Sequence, residues 1–232
     1  MRKTMYAVAA VLGRACAIVL CGLGWLYFRV LNRVRINGER MFPRGAIFYS
    51  NHQNIIDGFL INMGIIGFPR MIRDKATLPY SMVTRRYDER LPRLRWLFRA
   101  LRLVSVQVGG PADKRREVNE AVNQFFVERL RSGERVLIFP EGRLPVDGSL
   151  GEFYPGAARL ALMSGAPVVP VALRGTAQLI PSRGCVPRVG KNVVVTIGTP
   201  LTFEQMEKPG KEEINAITRA LRARLEELLN AP

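Results

Sequence analysis

The segment Ile47-Phe48-Tyr49-Ser50-Asn51-His52-Gln53-Asn54-Ile55-Ile56-Asp57 decides how this chain folds. Gly45 to Tyr49 is short, apolar and aromatic and follows Pro43, the pattern of a buried strand, whereas Ile55 to Ile66 is long enough for a helix. His52, the single histidine, therefore stands on a strand-to-helix corner. Asp57 follows within the first turns of the expected helix, so the imidazole can fold back onto its carboxylate. A carboxylate on one ring nitrogen fixes the tautomer and leaves the other nitrogen free as a base. The plainer alternative for this pair alone is that Asn51 or Asn54 caps the helix and His52 is a satisfied corner residue.

Working outward, Arg135-Val136-Leu137-Ile138-Phe139 is a second apolar strand that stops at a polar corner, Pro140-Glu141-Gly142-Arg143. Open α/β sheets hold ligands at the carboxyl ends of their strands. The expected fold is therefore α/β, a mixed, mostly parallel sheet flanked by helices. Val34 to Asn37 reads as a strand closed by an Asn37-Gly38 turn and paired with the corner strand. Met71-Ile72 begins a further short strand, and Leu103 to Val108 forms another. Asp113 is the expected cap of a helix running to Arg131, closed by Ser132-Gly133. A small-residue helix ends at Ser164-Gly165. Pro170 sits inside the apolar run Pro167 to Leu173, which assigns that strand to an edge or to a place where no ladder bond is needed. Val193 to Ile197 is the last strand. From Lys211 to Leu229 the helical spacing of Ile214, Ile217, Leu221, Leu225 and Leu228 gives an amphipathic helix packed on the sheet.

With 232 residues, 48% of them hydrophobic, the chain buries a real core and is not disordered. Its net charge of +16 points to an anionic partner: nucleic acid, a membrane surface or a phosphorylated substrate. Cys16, Cys21 and Cys185 have neither metal-ligand spacing nor a pairing framework, so no metal is expected and reduced thiols are. Met5 to Phe28 is apolar apart from Arg14, and Arg29, Arg33 and Arg35 close it. Arg14 near its middle, with Trp25, Tyr27 and Phe28 before the arginines, favours a monotopic membrane anchor over a single span. Residues 1–30 are thus read as a membrane-associating helical segment and 31–232 as the catalytic domain. Arg85 to Arg102 interleaves seven arginines with leucine, tryptophan and phenylalanine, which suits a lipid surface, RNA or a partly buried helix.

With both corners in view, the chain resembles the glycerolipid acyltransferases of the lysophosphatidic-acid type. His52 and Asp57 match the family's HxxxxD signature, Phe139-Pro140-Glu141-Gly142 its FPEG signature, and Val168-Val169-Pro170-Val171 its fourth block. The resemblance runs from Arg33 to Pro200. It implies His52 as base, Asp57 as its partner, and Glu141, Gly142 and Arg143 as the acceptor-binding set, with Asn51 and Pro170 added as substrate-binding candidates. Arg143 offers a planar fork for a phosphate, while Glu141 accepts from a glycerol hydroxyl or positions Arg143. Two departures are visible. Gln107 stands where the family's second block carries an arginine, leaving Arg102 or Lys114 to substitute. Arg143 also follows Gly142 directly, a form closer to the acyltransferase domain of enzymes that acylate lysophosphatidylethanolamine, although no adenylating domain is expected here.

The expected reaction moves an acyl group from acyl-CoA or acyl-carrier protein to the hydroxyl of a lysophospholipid, lysophosphatidic acid first and lysophosphatidylethanolamine as the alternative. Acyl-CoA or the carrier protein is a co-substrate, and no cofactor is expected. No GxSxG elbow occurs and no cysteine lies near His52, which favours direct attack over an acyl-enzyme. The setting is a membrane, at the cytoplasmic face of the inner membrane, with no nucleic-acid partner. The competing classes are a non-catalytic basic protein that binds membrane or nucleic acid, and a hydrolase using the same pair on water.

Overall fold

Strand β2 (Ile47–Ser50) is buried along its whole length, and its side chains divide between two cores. Ile47 and Tyr49 face one core with Phe126, Leu160 and Leu225; Phe48 faces the other with Phe28, Leu60, Leu173 and Val195. Alternate residues of a strand point to opposite faces, so a strand apolar at every position must be covered on both sides. The computed structural model describes residues 11, 15–16, 18–40, 42–62, 78–84, 89–107, 111–144, 150–181 and 186–231.

Six further strands complete the sheet among the described residues: β1 (Arg33–Asn37), β3 (Tyr80–Thr84), β4 (Leu103–Val106), β5 (Val136–Ile138), β6 (Val168–Arg174) and β7 (Asn192–Ile197). Their order is β1-β7-β6-β2-β5-β3-β4. Strands β6, β2, β5, β3 and β4 run parallel, while β7 runs antiparallel to β6 and carries β1 parallel to itself. The mixed, mostly parallel sheet is the one expected. Helices α4 (Ala112–Arg131), α5 (Gly156–Ser164) and α6 (Lys211–Asn230) cover the Tyr49 face. Residues 18–26 form α1, ending in a π-helical turn Tyr27–Leu31; α2 (Asp57–Leu60) follows β2, and α3 (Arg95–Ala100) precedes β4.

Several local expectations change. β1 pairs with β7, Arg33 opposite Asn192, because β7 and β6 lie between it and the corner strand. β6 is interior, so Pro170 does not mark an edge. Its carbonyl accepts from the Gly198 N–H at 2.9 Å, and the antiparallel ladder to β7 starts one residue later at Val171. The missing N–H therefore falls just outside the ladder, the other condition under which a strand tolerates proline. β3 has no counterpart in the sequence reading, and Met71-Ile72 lies outside the described residues. α4 starts at Ala112 directly after Pro111, which puts Asp113 inside its first turn.

Arg102 cannot stand in as a phosphate ligand. Its side chain is buried, pairs with Glu134 at 2.9 Å, donates to the Leu78 carbonyl at 3.1 Å and lies over the Tyr80 ring. Its φ of 56° is one that side chains rarely adopt, so these contacts must hold it there. Arg102→Ala strands a mostly buried Glu134, which keeps only Arg129 at 3.3 Å. The expected loss is about 3 kcal/mol in urea unfolding, within the range for breaking a buried pair. The Lys114 side chain is outside the described set.

The amino-terminal segment is bound to the sheet at its end. Cys21 and Phe28 are buried on the Phe48 face, and the Tyr27 hydroxyl donates to the Arg188 carbonyl at 2.6 Å. Of the three aromatics expected at an interface, Trp25 is exposed, whereas Tyr27 and Phe28 hold the segment to the domain. Cys16 and Cys21 are free thiols, and burial pushes Cys21 up to about 11. Among the described residues no helix is long and apolar enough to cross a membrane.

Candidate active site at two neighbouring strand ends

Tyr49 of β2 lies opposite Ile138 of β5, so the two strands end side by side. Neighbouring strands are about 4.8 Å apart, which brings the His52 and Glu141 corners together despite their separation in sequence. Three amide side chains bolt the first corner to the end of β6. Asn51 exchanges both hydrogen bonds with Leu173, accepting from its N–H at 2.7 Å and donating to its carbonyl at 2.9 Å. Gln53 accepts from the Thr176 N–H at 3.2 Å, and Asn54 donates to the Thr176 and Ile180 carbonyls at 3.1 and 3.0 Å. Neither Asn51 nor Asn54 caps α2, which has no side-chain cap.

Asp57, fully buried, organises the corner instead. One carboxylate oxygen, Oδ2, accepts from the Gln53 N–H at 2.6 Å, the Asn54 N–H at 2.7 Å and His52 Nδ1 at 2.9 Å. An oxygen already taking two backbone donors acts as an acceptor toward the imidazole, so Nδ1 carries the proton and Nε2 presents its lone pair. The ring is 19% exposed and stacks on Phe139 with centroids 4.1 Å apart, so it is fixed from below as well as from the side. Nε2 takes no partner among the described residues.

Glu141 is buried, and each of its carboxylate oxygens holds a backbone amide: Oε1 the His52 N–H at 2.9 Å, Oε2 the Gly151 N–H at 3.0 Å. It ties the His52 backbone to the segment leading into α5 and makes no bond to Arg143. Gly142 has φ 61°, and a side chain there would press the Tyr154 ring at 3.2 Å, so the glycine serves this turn. Arg143 is exposed immediately beyond it. Pro170 is buried in the sheet beside Tyr49 and does not reach the cleft. Gln107 directly follows the edge strand β4, three strands from β2, with its backbone held by Asn119 at 3.2 and 3.3 Å.

A cleft of about 250 Å³ opens over His52. Asn51, His52, Gln53 and Glu141 form one wall, and Leu150 with Glu226, Leu229 and Asn230 from the end of α6 form the other. None of this second wall was read from the sequence. The apolar stripe of α6 predicts that it packs on the sheet, but nothing in that stripe says where its last turn lands. Among the described residues no lysine or arginine lines the cleft. Two carboxylates and several amides there suit a neutral polyol better than a phosphate.

A family model described as Acyltransferase matches residues 33–174, more than half of the chain. A chloroplastic 1-acyl-sn-glycerol-3-phosphate acyltransferase of Brassica napus is 28% identical over 59% of this chain and 35% of its own length. An enzyme of the same name from Pseudomonas aeruginosa is 28% identical over 74% of this chain and 60% of its own length. The chain thus spans about a third to three fifths of these relatives. The crystal structure of the 1-acyl-sn-glycerophosphate (LPA) acyltransferase PlsC from Thermotoga maritima superposes with a TM-score of 0.60 at 20% identity, covering 100% of both chains. That likeness is one of fold.

Proposed function

The chain belongs to the acyltransferase family, and from that premise we propose that it transfers an acyl group from a thioester, acyl-CoA or acyl-carrier protein, to the free hydroxyl of lysophosphatidic acid, giving phosphatidic acid. The observation that carries this reading is the His52–Asp57 contact at 2.9 Å beside the cleft, with Nε2 left as the free nitrogen. The acceptor hydroxyl gives its proton to Nε2 as its oxygen attacks the thioester carbonyl. The tetrahedral intermediate then collapses, expelling the thiolate, which takes the proton back from the imidazolium. Asp57 stabilises that imidazolium and holds the ring. The glycerol portion lies in the cleft, and the phosphate points out of it toward the exposed Arg143.

The acceptor is tested by supplying labelled lysophosphatidic acid and lysophosphatidylethanolamine in separate reactions with the same thioester. Phosphatidic acid is the expected product. Acylation confined to the ethanolamine lipid would contradict this acceptor.

The protein works at a membrane, on its cytoplasmic side. Val19, Leu23, Trp25, Leu26 and Val30 are exposed on α1 and its π-helical turn, next to Arg29, Arg33 and Arg35. Partial burial first, and the nearby charge of Arg40 after it, lowers Arg29 from its ordinary value; the Arg40 part is a repulsion that lipid phosphates would relieve. The protein is expected to float with vesicles containing anionic lipid. Replacing Leu23 and Leu26 by glutamate should lower partitioning by more than roughly tenfold, since each buried leucine contributes about 2 kcal/mol. Undiminished flotation of that variant would rule out this face as the anchor.

A further inference from the structure

The hydrogen bonds that fix His52 continue past Glu141 into the carboxyl-terminal helix, beyond the last residue the family model matches. Gly151, whose N–H holds Glu141 Oε2, accepts at its own carbonyl from Arg222 Nη1 at 3.0 Å. The same guanidinium donates through Nε to Glu226 Oε1 at 2.8 Å and lies over the Phe153 ring with Cζ 4.9 Å from its centroid. Phe153 in turn meets Tyr49 edge to face at 5.8 Å, on the strand that ends at the His52 corner. Arg222 therefore grips residues 151 and 153, the two sides of one short segment.

We infer that Arg222 is a positioning residue of the site: it fixes Gly151, Gly151 fixes Glu141, and Glu141 fixes the backbone of His52. The geometry needs an arginine. Two in-plane donors meet Glu226 and Gly151 while the flat face meets Phe153, and a lysine ammonium offers no such plane. A partly exposed i,i+4 pair such as Arg222–Glu226 contributes only a few tenths of a kcal/mol, so its use here is to aim the guanidinium. The Gly151–Glu141 link is tight as well, because a side chain at position 151 would stand 3.2 Å from Oε2 and displace the carboxylate. Arg222 and Glu141 also act on one buried group, the Tyr49 hydroxyl. Burial drives its pKa up, with Arg222 opposing and Glu141 adding to the rise.

The inference rests on His52 as the base, but its test does not need turnover. His52 is the only histidine, so labelling with 15N-histidine gives one backbone amide and one imidazole. Glu141→Ala removes the acceptor of that amide and should move its proton resonance upfield. Arg222→Ala should move it in the same direction with Glu141 intact, and Arg222→Lys, which keeps the charge and the stem, should not restore it. Gly151→Ala perturbs the same link from its middle and should move the resonance as well. In turnover, Arg222→Ala should lower kcat on the order of 10- to 100-fold, as a misplaced catalytic group does. In a Glu141→Ala background the same change should cost about twofold at most, because the residue through which it acts is gone. A wild-type His52 amide resonance in Arg222→Ala, or an equal loss of kcat in both backgrounds, would overturn the proposal. Failure of every variant and of the wild type to acylate lysophosphatidic acid would count against the proposed function and leave the resonance test to decide on Arg222.

Discussion

His52→Ala is expected to lower acceptor-dependent thiol release by about 10²- to 10⁴-fold, the usual contribution of a positioned general base. The effect should fall on kcat. The ring touches Phe139 by stacking, worth about 1 kcal/mol, and its backbone N–H, which Glu141 holds, survives the substitution. Folding should therefore be little disturbed, and circular dichroism with a melting curve would separate a lost base from a lost fold. KM for the lipid should change little, because the imidazole is asked to act on a proton in the transition state rather than to hold the ground state.

Asp57 gives the second large effect, and two substitutions there should part company. In Asp57→Asn the side-chain oxygen can take the place of Oδ2, since all three hydrogen bonds converge on that one atom and Oδ1 has no partner. The tautomer of His52 is then kept and the negative charge beside the forming imidazolium is lost. At an effective dielectric constant of about 20, that attraction is worth about 4 kcal/mol at most, so kcat should fall about 10²- to 10³-fold with a nearly native fold. Asp57→Ala also leaves the Gln53 and Asn54 amides without an acceptor, at about 1–3 kcal/mol each. It should lose comparable activity and melt markedly lower. Kinetics and urea unfolding on both variants check this, and equal stability of the two would contradict the role given to Oδ2.

The site is legible in the sequence where it is local. β2 and β5 are apolar runs too short for buried helices, and each stops at a polar corner, which marks them as strands of a parallel sheet covered on both faces. The spacing from His52 to Asp57 spans one corner, so their contact is within local reach, and the second polar corner at Glu141 is what singles it out from a plain helix cap. The roles that failed to show are set by distant partners. Glu141 reads as a ligand for an acceptor hydroxyl or for Arg143; that its two oxygens also hold the amides at positions 52 and 151 is the part the local sequence does not carry. β1 looks like the partner of β2, but strand order depends on pairings between distant segments that no local pattern encodes. β3 was missed because Tyr80-Ser81-Met82-Val83-Thr84 has no unbroken apolar run. The final turn of α6 carries Glu226, Leu229 and Asn230 to the cleft only because its apolar stripe docks at one position on the sheet. Arg174 holds that turn by donating to the Ala231 carbonyl at 2.6 Å.

The measurement that bears most directly on the central claim follows free thiol and lipid product together, from one acyl-thioester, with and without lysophosphatidic acid. The account predicts that thiol appears only with the acceptor and in equal amount to phosphatidic acid. Thiol release at the same rate without acceptor, matched by free fatty acid, would contradict it and make the chain a thioesterase.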